Sequence, residues 1–239
     1  MIVVAPSILA ADPARLGEEA RRAEKAGADW LHVDIMDGHF VPNLTFGPGV
    51  VAGLKRRLRL PLDVHLMMDN PEALLTPFLK AGADVLTVHV ELGRKVEGLL
   101  WKIRSLGAKA GLAINPPTAV EQVKPYLKLI DLLLVMTVNP GYGGQPFMPE
   151  TLPKIIQAAR WRAEAGLGFR IEVDGGINEK TLPECVRAGA DTIVSGTSLF
   201  GSRSLPRAIR RFRKLAAEAA AQLARPGAAS AAAGARRTD

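Results

Sequence analysis

Three copies of Ala-Gly-Ala-Asp, at 26–29, 81–84 and 188–191, constrain the fold of this chain more than any other feature. Each follows a run with helical spacing of apolar residues and precedes a β-rich run. The motif predicts a helix-to-strand joint, with Gly27, Gly82 and Gly189 as the positive-φ residue that ends a helix. The joints lie 55 and 107 residues apart, close to two and four units of about 27 residues, a size that holds one strand, one helix and two loops. Strands are expected near 2–6, 30–35, 62–66, 84–89, 108–114, 131–136, 169–173 and 191–195, with helical patterns after each. Asp12 is placed to cap the first helix, with Pro13 at its first position. Eight alternating βα units predict an α/β protein, a single (β/α)8 TIM barrel with a parallel eight-stranded core. An open doubly wound sheet usually has fewer strands and exposes two edges. The barrel is expected over 1–215. Residues 216–239 are expected to hold the end of the last helix and a disordered, Ala-rich tail, dispensable beyond about Pro226.

At 239 residues with 48% hydrophobic and 23% charged residues, the chain can bury the core that such a barrel needs. Cys185 is the only cysteine, which excludes an internal disulfide and cysteine-rich metal sites and suits a reducing, cytoplasmic setting. The first residues lack the pattern of a signal peptide. The most apolar run, 129–138, contains Asp131 and is far shorter than the roughly 20 residues of a spanning helix, so no membrane association is expected. A net charge of +7 raises the question of nucleic acid. Yet Lys55, Arg56, Arg57 and Arg59 end one helical segment, and Arg207, Arg210, Arg211, Arg213 and Lys214 wrap around another, with no interleaved aromatic platform. Solvated helix faces are expected rather than a nucleic-acid surface, and the charge suits a small anionic substrate.

Strand parity decides which side chains enter the barrel. His32, Asp34 and Met36 share one face opposite Leu31, Val33 and Ile35. Asp63, His65 and Met67 oppose Leu62, Val64 and Leu66, while Arg170, Glu172 and Asp174 oppose Ile171 and Val173. The apolar sets should face helices, leaving the polar sets in the lumen. Asp34, His65 and Asp174 then fall at the carboxyl ends of three strands, where barrels carry their catalytic groups, with His32 one step deeper. Two readings are open at this point. The two His and two Asp can hold one divalent ion (Zn²⁺, Fe²⁺, Mn²⁺ or Co²⁺), or they can be hydrogen-bonded packing residues and helix caps. His39 and His89 are expected to be packing residues.

The segment Asn139-Pro-Gly-Tyr-Gly-Gly-Gln145 follows the sixth strand, and its glycines can turn consecutive backbone amides toward an anion; the alternative is a flexible lid. Asp174-Gly-Gly176 and Ser195-Gly-Thr197 add exposed amides after strands seven and eight, where barrels often bind phosphate. Met36, Met67 and Met136 also stand at strand ends and are candidates for an apolar cap over the site.

Read together, Ala5-Pro-Ser-Ile-Leu9, the run from His32 to Asn43, His65-Leu-Met67, the run from Val138 to Gln145, Glu172-Val-Asp-Gly-Gly-Ile177 and Gly196-Thr-Ser-Leu-Phe-Gly201 closely resemble the ribulose-phosphate 3-epimerase family, over roughly residues 2–215. The resemblance implies a pentose phosphate pathway isomerase that interconverts D-ribulose 5-phosphate and D-xylulose 5-phosphate. Asp34 and Asp174 would be the acid–base pair, and His32, Asp34, His65 and Asp174 would hold one divalent metal ion per subunit. Ser7, His65, Gly141, Tyr142, Gly143, Gly144, Asp174, Gly175, Gly176, Gly196 and Thr197 would hold the sugar phosphate. Relatives form dimers or hexamers, so a homo-oligomer is implied. Tyr142 stands where many relatives carry Phe, and Thr197 where Ser is common; both changes keep the backbone amides. Inversion beside a ketone needs a proton removed on one face and returned on the other, which two carboxyl groups do through an enediolate better than one. The alternative is a 3-epimerase of a hexulose 6-phosphate such as allulose 6-phosphate, since the motifs do not measure substrate length. A lyase or decarboxylase would want a Lys at a strand end, where none is found. A non-catalytic binding protein would not need both Asp34 and Asp174.

Overall fold

Leu31, Val33 and Ile35 alternate with His32, Asp34 and Met36, and a closed ring of strands turns that alternation into two concentric shells. A computed structural model describes residues 2–223. Among them are eight parallel strands: β1 (Val3–Pro6), β2 (Leu31–Met36), β3 (Leu62–Met67), β4 (Val85–His89), β5 (Lys109–Ile114), β6 (Leu132–Met136), β7 (Arg170–Asp174) and β8 (Thr192–Ser195). Each pairs with the next from β2 to β8, and β8 returns to β1. A bridge between Ser7 and His32 joins β1 to β2. Outside the strands lie α1 (Leu16–Lys25), α2 (Pro48–Lys55), α3 (Glu72–Lys80), α4 (Val96–Ser105), α5 (Leu152–Glu164), α6 (Leu182–Ala188), α7 (Thr197–Phe200) and α8 (Leu205–Leu223). The chain is therefore the TIM barrel that its periodicity predicts, with strand boundaries displaced by one residue or so.

The larger apolar shell lies between strands and helices and holds Leu31, Val33, Leu62, Val64, Ile171 and Val173, together with Phe78 and Phe212. A smaller cluster, Val85, Ala113, Leu132, Leu134, Met136 and Val138, fills the β4–β6 side of the lumen. The other side carries His32, Asp34, Asp63, His65 and Glu172, all buried. This asymmetry confines the polar chemistry to β2, β3, β7 and the edge of β4.

The Ala-Gly-Ala-Asp joints have a physical reason. Gly27, Gly82 and Gly189 adopt φ of 90°, 101° and 116°, which an L side chain rarely tolerates. The aspartates that follow are reciprocal clamps. The Asp84 amide donates to the Leu62 carbonyl (3.0 Å), and the Leu62 amide donates back to Asp84 Oδ2 (2.7 Å). Asp29 does the same with Val4, and Asp191 with Ile171. Asp131 forms a fourth clamp with Ala110. The clamps thus tie β1 to β2, β3 to β4, β5 to β6 and β7 to β8, so the barrel repeats in quarters. Each aspartate also meets a helix cation: Arg213, Lys55, Arg104 or Arg162.

The hydrogen bond should outweigh the ion pair, because Lys55 and Asp84 side chains are 34% and 40% exposed and such pairs contribute about 0–1 kcal/mol. Asp84→Ala orphans the Leu62 amide and is expected to cost about 1–3 kcal/mol in urea unfolding, whereas Asp84→Asn, whose amide oxygen can still accept, should stay within about 1 kcal/mol of the parent. Equal losses in the two variants would assign the stabilisation to charge.

Three local expectations need correction. No α-helix follows β5; residues Val120–Tyr126 form a 3-10 segment, in which Pro125 lacks the amide and crowds the carbonyl that an α-helix would use. Asp12 caps a 3-10 turn, Pro13–Arg15, through the Ala14 amide (3.0 Å), and α1 begins only after it. Lys55, Arg211 and Arg213 are engaged with Asp84, Glu179 and Asp29, so the basic clusters are partly structural. Helix α8 continues to Leu223 and buries Ala216 and Ala219; the expected tail beyond it lies outside the described residues. No helix among the described residues is long and apolar enough to cross a membrane.

Candidate active site and metal centre

At the carboxyl-terminal mouth, β2, β3 and β7 bring His32, Asp34, His65 and Asp174 together. One donor atom from each lies within 4.8 Å of all the others. Asp34 is the hub. Its Oδ1 is 3.2 Å from His32 Nε2 and 3.3 Å from His65 Nδ1, and its Oδ2 accepts from Ser7 Oγ at 2.7 Å. Two imidazoles and two carboxylates, with no sulfur, suit a divalent ion of the Zn²⁺, Fe²⁺, Mn²⁺ or Co²⁺ group better than Ca²⁺ or Mg²⁺, which prefer oxygen ligands. Three of these donors are buried and Asp174 is half-buried, and the set fits a metal. Cys185, buried in α6, has its thiol pushed up to about 12 by burial and is unreactive.

Buried carboxyls differ here according to their partners. Burial alone would push Asp34 up, but His32 and His65 outweigh it and hold the carboxyl well below its usual range. Burial and the charge of Asp34 push Asp174 up to about 7. Burial pushes His65 down to about 4, so it is neutral near pH 7. His32 goes the other way: burial opposes its charge, but Asp34 and Asp63 flank both ring nitrogens and raise it. Below it, Glu172 is raised well above the ordinary carboxylate range by burial and by Asp63.

A cavity of about 220 Å³ opens above this floor. Ser7, Asp34 and Asp174 line its base, and Met36, Met67 and Met136 its wall. Gly141, Tyr142, Gly143, Gly144, Gly175, Gly176, Gly196 and Thr197 line the far side, so the three glycine-bearing loops do share one rim. Two glycines there are required by geometry. Gly175 (φ 118°) leaves no room for a Cβ beside Val138, and at Gly176 (φ 65°) a Cβ would run into the Phe147 backbone. The 139–145 loop is latched to the segment after β2, because Asn43 Nδ2 donates to the Gly141 carbonyl (2.7 Å) and Tyr142 Oη to the Pro42 carbonyl (2.7 Å). The hydroxyl that sets Tyr142 apart from Phe thus has its own partner.

The structure adds four residues to the polar network. Asp63 Oδ2 meets His32 Nδ1 at 2.6 Å, with Glu172 3.9 Å from the same nitrogen. His89, expected to be a packing residue, has its Nε2 2.8 Å from His65 Nε2, and its Nδ1 meets Glu91 at 3.0 Å. Parity would have found His89, which shares a lumen-facing register with Val85 and Thr87 at the end of β4. His39, expected to be a packing residue, is instead exposed, with its Nδ1 3.0 Å from the Asp37 carbonyl oxygen within a local turn.

A closed (β/α)8 barrel with paired carboxylates and histidines at its carboxyl-terminal mouth belongs to the barrel enzymes. A family profile described as the ribulose-phosphate 3 epimerase family matches residues 3–200. The chain is 46% identical over 214 residues to ribulose-phosphate 3-epimerase of Bacillus subtilis, covering 89% of this chain and 99% of that protein. It is 47% identical over 214 residues to the enzyme of the same name from Synechocystis, covering 89% and 93%. The protein belongs to the ribulose-phosphate 3-epimerase family and is an epimerase, an isomerase. Among solved structures, 3-hexulose-6-phosphate synthase from Salmonella typhimurium superposes with a TM-score of 0.71 at 14% identity, covering 92% of this chain and all of that one, which shows the shared fold alone.

Proposed function

We propose that this enzyme interconverts D-ribulose 5-phosphate and D-xylulose 5-phosphate by metal-dependent proton transfer at C3, with Asp34 and Asp174 as the two acid–base groups. The observation that carries this reading is the convergence of two carboxyls from β2 and β7 at the base of one cavity, beneath glycine-bearing loops. Asp34 is ionised, held by Ser7 and His32, and removes the C3 proton from one face. Asp174, raised toward neutrality, carries a proton and delivers it to the other face; the reverse reaction exchanges the roles. His32, Asp34, His65 and Asp174 would hold the ion. When bound, it supplies Lewis acidity toward the oxygens at C2 and C3, where the negative charge of the enediolate develops. Gly141, Gly143, Gly144, Gly175, Gly176 and Gly196, which line the cavity, would take the phosphate through backbone amides, and Met36, Met67 and Met136 would keep water from C3.

Turnover of ribulose 5-phosphate against allulose 6-phosphate by metal-loaded protein tests the substrate. The pentulose should be preferred by about 10-fold or more in kcat/KM, the discrimination that a pocket gains from one extra carbon unit. Equal or better use of the hexulose would transfer the assignment to a hexulose-phosphate epimerase.

A further inference from the structure

Buried His89 and half-buried Glu91 form a chain leading away from the metal pocket. His65 Nδ1 faces Asp34 in that pocket, and its other nitrogen, Nε2, lies 2.8 Å from His89 Nε2. The remaining His89 nitrogen, Nδ1, meets Glu91 Oε2 at 3.0 Å. Glu91 Oε1 accepts from the Asn115 amide (2.9 Å) and from Thr118 Oγ1 (2.6 Å). Both imidazoles are inaccessible to solvent, and Phe40 packs against His89 with ring centroids 4.6 Å apart.

We propose that Glu91, acting through His89, is a positioning residue that fixes the tautomer of His65 and so presents the Nδ1 lone pair to the metal pocket. The proposal rests on the metal-centre reading above. An ionised carboxylate only accepts, so His89 Nδ1 must carry the proton that Glu91 receives. His89 Nε2 is then the lone-pair nitrogen of that ring. Two ring nitrogens 2.8 Å apart need one proton between them, and it can only come from His65 Nε2–H. Two neutral rings carry two protons for three contacts, so the longest of them, His65 Nδ1 to Asp34 at 3.3 Å, goes without one, and a bare nitrogen is what a metal requires. His32 reaches the same centre by the opposite nitrogen: Asp63 takes its Nδ1–H at 2.6 Å, so Nε2 is the nitrogen that gives up its proton when an ion binds. The two histidines are thus set independently, one directly by Asp63 and the other over a longer route that begins at Glu91.

Glu91→Gln is the diagnostic change because it is isosteric. The Asn115 amide can only donate, so the new side-chain oxygen must face it and the NH₂ must face His89 Nδ1. That nitrogen becomes an acceptor, His89 Nε2 becomes a donor, and the proton of His65 moves to Nδ1, where the ion should bind. Imidazole nitrogen NMR of the full-length, metal-free protein labelled with ¹⁵N-histidine reads each tautomer directly. The parent should show His65 protonated on Nε2, and Glu91→Gln should reverse both rings. Zn²⁺ affinity from chelator competition should fall about 10–100-fold, the usual loss when a group that orients a ligand is removed. A parent protein with His65 protonated on Nδ1 overturns the proposal without any variant. So does a folded Glu91→Gln protein with unchanged tautomers or unchanged Zn²⁺ affinity. If the parent shows the expected tautomers but Zn²⁺ leaves the His32 and His65 resonances unmoved, the metal-centre reading fails while the tautomer chain stands.

Discussion

Asp34→Asn and Asp174→Asn are each expected to lower complete C3 inversion by about 10²–10⁴-fold, the usual loss for a missing general acid or base. The more telling result is what each variant retains. A carboxyl left alone on one face can remove the C3 proton of one epimer and return a solvent deuteron to the same face. Each variant should therefore exchange label into one epimer without inverting it, and the two variants should prefer opposite epimers. Incubation of each variant with each pentulose 5-phosphate in heavy water, followed by NMR, measures label and configuration together. Both aspartates are also proposed ligands and both ring nitrogens nearest the pocket approach Asp34, so ion content must be determined in parallel. Near-parental inversion by either loaded variant would show that one carboxyl suffices and would end the two-carboxyl mechanism.

Strand parity and the joint motif make the barrel legible in the sequence. Three of its four quarter clamps share the string Ala-Gly-Ala-Asp because an α-helix precedes each and needs a positive-φ glycine to end it. The fourth, Asp131, has the same clamp without the string, because a 3-10 segment precedes it and makes no such demand. The interval of 107 residues was thus a skipped member of a regular series. Pro125, visible in the sequence, was the signal that the unit after β5 would differ.

The site was legible where one strand presents its own residues and obscure where strands meet. His32, Asp34, His65 and Asp174 follow from alternation, since each points inward, the last three from a strand's carboxyl half and His32 one step deeper. Ser7 bonds Asp34 across 27 residues, and His65 meets His89 across 24. Neither contact has a local pattern, because neighbours in a barrel are set by register between strands and not by spacing along one. His89 looked isolated for the same reason: its partners stand on β3 and beyond the end of β4.

Removal of the metal should have the second large effect, and it should be reversible. Lewis-acid stabilisation of developing oxyanion charge is worth several kcal/mol, which corresponds to roughly 10³-fold or more in rate. Protein stripped by a chelator should invert C3 at least that much more slowly, and Zn²⁺, Fe²⁺, Mn²⁺ or Co²⁺ should restore it, since the donor set of two imidazoles and two carboxylates suits all four. Reloading should also depend on pH in a direction that the site fixes. In the metal-free protein Asp174 is pushed up to about 7 by burial and the charge of Asp34, and His32, despite burial, is raised by Asp34 and Asp63. His32 must lose its proton to bind an ion, and the ion opposes the proton of Asp174, whose carboxyl can ligate through one oxygen and still carry a catalytic proton on the other. Protons therefore compete with metal below about pH 7, apparent affinity should climb from pH 5 to pH 7, and uptake in that window should release protons into the buffer. Chelator competition across that range, with proton release followed by calorimetry in two buffers of different ionisation heat, measures both. Protein of verified zero ion content that still turns over within about tenfold of the loaded rate would remove the metal from the mechanism and leave the two carboxyls to carry it unaided.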